Sequence, residues 1–262
     1  GAMAAALTSE TRGQTLILTI SNPEMRNALG PEIYAAGVEA LDVAGSSPDV
    51  RSIVIRGEGD VFCAGGNLRR VLANRQKPPE VQADSIETMH AWIEAIRTCP
   101  KPVLAAVEGA AAGAGFSLAL ACDFIVAARN ALFVMAYSAV GLSPDGGGAW
   151  ALAQALPRQL ATEWLMTGER VGAERLHALG LVNRLADEGQ ALDAALTLAQ
   201  LLNARAPNVL ASIKTLTDGA HDRSLHEHLA LEREHFVKNQ RHANGEIGIQ
   251  AFLNKQKPNY LG

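Results

Sequence analysis

The sequence predicts an α/β fold with a helical carboxyl-terminal part, and three observations carry that prediction. Up to about residue 140, short apolar runs rich in valine and isoleucine alternate with helical patterns. Two glycine-rich turns each follow a strand-like run and precede a helix-like one. Beyond that point the helical pattern dominates to the end. We therefore expect a core over residues 4–200 and a helical region over residues 201–262.

Five apolar runs are predicted to be strands because each is short, rich in β-branched residues and bounded by residues that break strands. They occupy residues 15–20, 51–56, 103–107, 123–128 and 132–135. Pro23 ends the first run, and Gly57 and Gly59 end the second. No apolar run approaches the roughly 20 residues that a transmembrane helix needs, so we expect no membrane partner.

Helical patterns fill the intervals between these strands. We predict helices at residues 31–44, from about 67, at 84–97, at 116–121 and at 221–241. Pro31 favours the first position of the first helix. The polar, proline-containing stretch 74–79 is predicted to be a mobile loop.

The composition excludes several classes of function. The chain of 262 residues has a net charge of −4 and no strongly basic character, which disfavours nucleic acid as a partner. Its three cysteines match no metal-binding spacing. We interpret them as reduced thiols and expect a cytoplasmic protein without a metal. The first three residues, Gly1-Ala2-Met3, resemble the remnant of a protease cleavage.

The two glycine-rich turns predict a site for a negatively charged oxygen. They span residues 62–68 and 108–116. A turn between a strand and a helix leaves backbone N–H groups free at the start of the helix. Two such turns can direct two N–H groups at one oxygen, which is an oxyanion hole for an enolate or a tetrahedral intermediate. One turn alone would equally suit tight packing of a helix on a strand.

Several short motifs follow one another along the chain: FCAGG at residues 62–66, AGAG at 112–115 ahead of LACD at 120–123, and GLSPD at 141–145. In this order and spacing they resemble the crotonase (enoyl-CoA hydratase/isomerase) superfamily. The resemblance implies an α/β spiral of ββα units and a carboxyl-terminal helical region used in trimerisation. It also implies an acyl-CoA thioester substrate, no cofactor beyond that CoA, and a homotrimer or homohexamer.

The resemblance also assigns roles to individual residues. The oxyanion donors would be the N–H groups of Gly66 and Ala114. The residues implied to contact substrate or CoA are Ala64, Gly66, Leu68, Tyr137 and Leu142, with Arg26 for phosphate and Phe252 and Lys255 at the adenine end. The last two could reach CoA within one subunit or across a subunit boundary. We further expect apolar walls from Leu72, the loop near Pro78, Trp92 and Trp150.

Departures from the family pattern decide the predicted chemistry. The two glutamates of the family's hydratases are replaced by Ser117 and Tyr137. Neither replacement is a carboxylate, so a two-glutamate hydration is disfavoured. The remaining acid, Asp145, lies where some family isomerases, including those of phenylacetate degradation, place their aspartate. We predict that Asp145 moves a proton from C2 to C4 of a 3-enoyl-CoA, although it could instead cap the next helix.

Four alternatives stay open at this point. One is a hydratase that uses one acid and a positioned water. Another is a serine hydrolase with Ser117 as nucleophile, Asp145, and His177 or His221 as base. A third is a dehalogenase in which Asp145 is the nucleophile and His90 the base. The fourth is a homologue that binds CoA without catalysis.

Overall fold

The computed structural model describes residues 4–262. Residues 1–3, interpreted above as a cleavage remnant, lie outside the described residues. The strands are β1 (Ala6–Arg12), β2 (Thr15–Ser21), β3 (Ser52–Gly57), β4 (Val103–Val107), β5 (Ala110–Ala112), β6 (Phe124–Ala128), β7 (Leu132–Val134), β8 (Arg170–Gly172) and β9 (Arg184–Ala186).

The helices divide into those that surround the sheets and those that end the chain. The first group is α1 (Pro31–Ser46), α2 (Leu68–Asn74), α3 (Pro79–Thr98), α4 (Ala114–Ala121), α5 (Gly148–Ala155), α6 (Arg158–Thr167), α7 (Ala173–Ala178) and α8 (Ala191–Asn203). The second group is α9 (Pro207–Thr217), α10 (Leu225–Arg241) and α11 (Ala243–Leu253). None of the helices within residues 4–262 is both long and apolar enough to cross a bilayer.

The strands form two sheets. The larger has the order β1-β2-β3-β4-β6-β9, with β1 antiparallel to β2 and the remaining pairs parallel. The smaller has the order β5-β7-β8. Strand residues alternate between two cores, so Ile53 and Ile55 pack into the main core while Val54 packs on the other side. Helix α8 covers that second side with Leu198.

The structure confirms the predicted α/β class but corrects several elements. β1 was not predicted, because its sequence ALTSETR is largely polar, yet all seven of its residues pair with β2. β5 was also missed, and β8 and β9 lie where only helices were expected. Helix α3 begins at Pro79, five residues earlier than predicted, so the expected loop shrinks to residues 75–78.

The parallel pairing of β3 with β4 explains how the two glycine-rich turns meet. Ile53 pairs with Val103, so the two strands run side by side in the same direction. Each turn follows the carboxyl end of its strand, and the carboxyl ends of neighbouring parallel strands lie at the same edge of a sheet. The fold therefore brings residues 62–68 and 108–116 together.

Candidate active site

Backbone hydrogen bonds join the two glycine-rich turns. The N–H of Cys63 donates to the carbonyl of Ala110 at 3.1 Å, and the N–H of Ala112 donates to the carbonyl of Cys63 at 3.0 Å. A Cβ atom at Gly115 would overlap that same Cys63 carbonyl, so only glycine fits there. The two turns are therefore fixed against each other.

Two amides in these turns are left free. Gly65 and Gly113 have φ angles of +110° and +55°, which turn the following peptides away from regular pairing. The next residues are Gly66 and Ala114, and their N–H groups donate to no other residue between positions 4 and 262. Both residues line one pocket, and the first residue of α4 is Ala114. The pocket thus holds two unused donors, one from each turn, as an oxyanion hole requires.

The pocket has a volume of about 130 Å³. Its walls include seven residues that the sequence analysis assigned: Ala64, Gly66, Leu68, Ala114, Tyr137, Leu142 and Asp145. A dry cavity of about 150 Å³ accepts a benzene ring. The pocket therefore suits a short acyl group or a single ring.

Other assigned residues lie outside this pocket. Arg26 lines a different cavity with Asp60 and Glu188. Neither Phe252, which is 84% exposed, nor Lys255 lines the pocket. Their contacts with CoA stay predictions.

Four expected parts of the wall lie elsewhere: the loop near Pro78, none of whose residues 75–78 lines the pocket, and three side chains. Trp92 is fully buried in the core, where its indole fills the space that a side chain at Gly37 would need. Trp150 lies on the surface, with the guanidinium of Arg97 4.8 Å from its ring centroid. Leu72 is 65% exposed and does not line the pocket. The expectation of aromatic walls from the two tryptophans was wrong.

Asp145 is the single carboxylate among the described residues that line the pocket. The hydroxyl of Tyr137 donates to Oδ1 of Asp145 at 2.7 Å. Helix α5 begins at Gly148, and no side chain caps it by a hydrogen bond. The carboxylate of Asp145 is therefore not a helix cap, and it faces the cavity that holds the two free amides.

The phenols of Tyr137 and Tyr34 stay protonated at neutral pH. Burial first, and then the negative charge of Asp145, raise the pKa of Tyr137 well above its ordinary value. Burial and then Asp145 likewise raise the pKa of Tyr34. Tyr137 is therefore a hydrogen-bond donor to Asp145 and is unsuited to replace a glutamate as a base.

Two further side chains hold the backbone at Asp145. The hydroxyl of Ser117 donates to the Asp145 carbonyl at 3.0 Å. The N–H of Gly146 donates to Nε2 of His90 at 2.9 Å. Because Nε2 is the acceptor, the proton of this imidazole lies on Nδ1. Sequence reasoning missed both contacts, and the run of three glycines after Asp145 was the one local sign of close approach there.

The same contacts weigh against two of the alternatives. Ser117 is 1% exposed, and its hydroxyl donates to the Asp145 carbonyl. No histidine within residues 4–262 forms a hydrogen bond with the Ser117 hydroxyl. A serine nucleophile needs a hydrogen-bonded base. His90 is already occupied as an acceptor for Gly146, which disfavours it as a free base in a dehalogenase.

Comparison with known proteins matches residues 10–262 to the family model described as enoyl-CoA hydratase/isomerase. A 1,2-epoxyphenylacetyl-CoA isomerase of Escherichia coli (strain K12) is 34% identical over 248 residues, which cover 94% of this chain and 95% of that protein. An enoyl-CoA hydratase of Mycobacterium tuberculosis is 32% identical, over 96% of this chain and 94% of that one. A crystal structure described as an enoyl-CoA hydratase from Polaromonas sp. JS666 superposes with a TM-score of 0.96 at 67% identity, over 97% and 99% of the two chains.

Proposed function

Because the chain belongs to the enoyl-CoA hydratase/isomerase family, we propose that it isomerises the double bond of an enoyl-CoA with Asp145 as the sole proton carrier. The substrate is a 3-enoyl-CoA and the product is the conjugated 2-enoyl-CoA. The observation that supports this proposal is the pocket's single carboxylate, which a protonated phenol holds at 2.7 Å.

The proposed reaction begins with the thioester carbonyl oxygen at the N–H groups of Gly66 and Ala114. Asp145 takes a proton from C2, and the electrons of that C–H bond form a dienolate across C1 to C4. The negative charge on the thioester oxygen is stabilised by the two donors, each of which contributes about 10²–10³ in rate. Asp145 then returns the proton to C4, which leaves the double bond between C2 and C3.

One carboxylate is sufficient for these two proton transfers because the same group acts first as the base and then as the acid. Hydration of a double bond needs a base for water and an acid for carbon. The Escherichia coli relative, a 1,2-epoxyphenylacetyl-CoA isomerase, supports the proposal. Other relatives are named hydratases, so hydration with one acid and a positioned water is the second candidate.

For the remainder of the substrate, we propose that backbone groups at Ala64, Gly66 and Leu68 bind the CoA chain. Arg26, Phe252 and Lys255 would contact its adenine and phosphate end in an assembled oligomer. A homotrimer or homohexamer in the cytoplasm is the proposed form, and large exposed apolar side chains on α10 and α11 support it, among them Phe236 and Phe252 at 72% and 84% exposure.

The test is a matched assay of one 3-enoyl-CoA and its 2-enoyl isomer with the wild type and Asp145→Asn. We expect conversion of the 3-enoyl substrate, no hydration of the 2-enoyl one, and a loss of at least about 10³-fold in the variant, which keeps the shape but not the base. Hydration of the 2-enoyl substrate that Asp145→Asn abolishes would replace the proposal with the second candidate. Hydration that survives the substitution would mean that a residue other than Asp145 activates the water, and would contradict both.

A further inference from the structure

One wall of the pocket is polar, and the isomerisation does not use it. We define this donor wall as Arg70 on α2 together with Gln82 and Ser85 on α3, all of which line the pocket. Gln82 and Ser85 are three residues apart and therefore lie on one face of α3. Ile86 and Met89 continue that face along the pocket.

The two helices are held together at this wall. Asn74, four residues after Arg70 on α2, is buried, and its Nδ2 donates to Oε1 of Gln82 at 2.9 Å. Residues four apart share one face of a helix, so Arg70 lies on the side of α2 that meets Gln82. The bond from Asn74 uses the amide oxygen of Gln82 and leaves its NH₂ group.

The groups that remain at the wall are donors. The guanidinium of Arg70 makes no ion pair or hydrogen bond with the described residues, which span positions 4–262. The NH₂ group of Gln82 and the hydroxyl of Ser85 likewise donate to no described residue. The hydroxyl of Tyr34, also on the pocket, has no partner in that range. An arginine carries five N–H donors and no acceptor.

A wall of unused donors with a fixed positive charge favours a negatively charged oxygen ligand. The one carboxylate that lines the pocket is Asp145, which already accepts from Tyr137. An alkyl chain would leave the donors at the wall unpaired when it excluded water, which is costly. A carboxylate would satisfy them and pair with Arg70 in the bidentate manner that guanidinium groups favour.

We propose that the acyl group of the substrate carries a carboxylate at its far end, and that Arg70 with Gln82 and Ser85 recognises it. This inference rests on the proposed function, because it takes the acyl chain to run from the oxyanion donors into the same pocket. The volume of about 130 Å³ limits the chain to a short one, so a six-carbon acyl group with a terminal carboxylate is the probe.

Binding tests the inference separately from catalysis. The probes are two saturated six-carbon acyl-CoAs, one with a terminal carboxylate and one without, titrated calorimetrically into the 262-residue chain. We expect the carboxylated probe to bind about tenfold more tightly. This is the low end of the range for a hydrogen bond to a charged group, because Arg70 is exposed to water. Arg70→Gln removes that preference. Arg75→Gln, an exposed arginine at the end of α2 outside the pocket, keeps it.

The same variants in the isomerase assay give a second readout. With 3-enoyl-CoAs that do or do not carry the terminal carboxylate, Arg70→Gln should reduce the ratio of their kcat/KM values by about tenfold. Equal losses for both probes or both substrates would assign Arg70 to CoA or to folding and would overturn the inference. So would a wild-type protein without preference for the carboxylated probe. If neither 3-enoyl substrate reacts but the binding preference holds and depends on Arg70, the proposed isomerisation fails and the inference stands.

Discussion

Tyr137→Phe tests how the carboxylate of Asp145 is held in the pocket. The substitution keeps the aromatic ring and removes the hydroxyl that donates to Oδ1 of Asp145 at 2.7 Å. The backbone of Asp145 keeps its bonds to Ser117 and, through Gly146, to His90. The loop therefore stays in place. The substitution removes the bond to Oδ1 together with two longer contacts of the same hydroxyl, 3.3 Å to the Ser117 hydroxyl and 3.4 Å to the Asp145 carbonyl.

The size of the effect follows from the partners of that bond. A hydrogen bond to a charged group contributes about 1.5–3 kcal/mol, which corresponds to about 10- to 150-fold. The pocket is open to water, and a water molecule can replace the lost hydroxyl in part. We therefore expect a decrease of about 10- to 30-fold in kcat/KM at the low end of that range.

The assay follows absorbance of the conjugated 2-enoyl thioester as it forms from the 3-enoyl substrate. Thermal unfolding and the affinity for a saturated acyl-CoA serve as controls, and both should stay close to those of the wild type. Tyr137→Phe is then introduced into Asp145→Asn. If Tyr137 acts through Asp145, the second substitution adds no further loss. A change of less than about twofold in the wild-type background, or the same loss in both backgrounds, would refute the reasoning.

Three further predictions concern the turns and the core. Gly65→Ala forces a β-carbon on a residue at φ +110°, so we expect a loss of about 10²-fold in kcat as an oxyanion donor is displaced; full activity would contradict this. Lys214→Met breaks the 2.8 Å ion pair with Asp123 and should lower the free energy of unfolding by about 2–3 kcal/mol in urea titrations. Because Tyr34 and Tyr137 have raised pKa values, the unfolded state loses phenol protons above about pH 10 while the folded state keeps them, and stability falls. Above about pH 10, the free energy of unfolding of the Tyr34→Phe/Tyr137→Phe variant should fall by up to about 2.7 kcal/mol less per pH unit than that of the wild type. Equal slopes of the free energy of unfolding against pH in the two proteins would contradict the argument that burial raises the two pKa values.

Much of the fold was predictable because its signals are local. The strand runs that became β2, β3, β4, β6 and β7 are apolar, short and bounded by breakers, and their observed limits differ from the predicted ones by one residue or less at each end. β1 lacks those signals. Its largely polar residues form a strand because β2 offers an edge for pairing, which is a property of the tertiary structure and not of the segment.

The candidate site likewise has a part that was predictable from the sequence and a part that was not. Its glycine turns were predictable, because strand, turn and helix follow one another along the chain. The support of Asp145 was not, because Ser117 and His90 reach it from helices 28 and 56 residues away in sequence. Trp92 shows the converse error, since an aromatic near the site in sequence was expected in the pocket and instead fills the core beside Gly37.

The central claim is that one carboxylate removes the proton from C2 and returns it to C4. Its most direct test uses a 3-enoyl-CoA carrying deuterium at C2, converted in ordinary water, with the product examined by mass spectrometry and NMR. We predict deuterium at C4 of the 2-enoyl product and almost no product from Asp145→Asn. Product with only solvent hydrogen at C4, formed at an undiminished rate by Asp145→Asn, would contradict it.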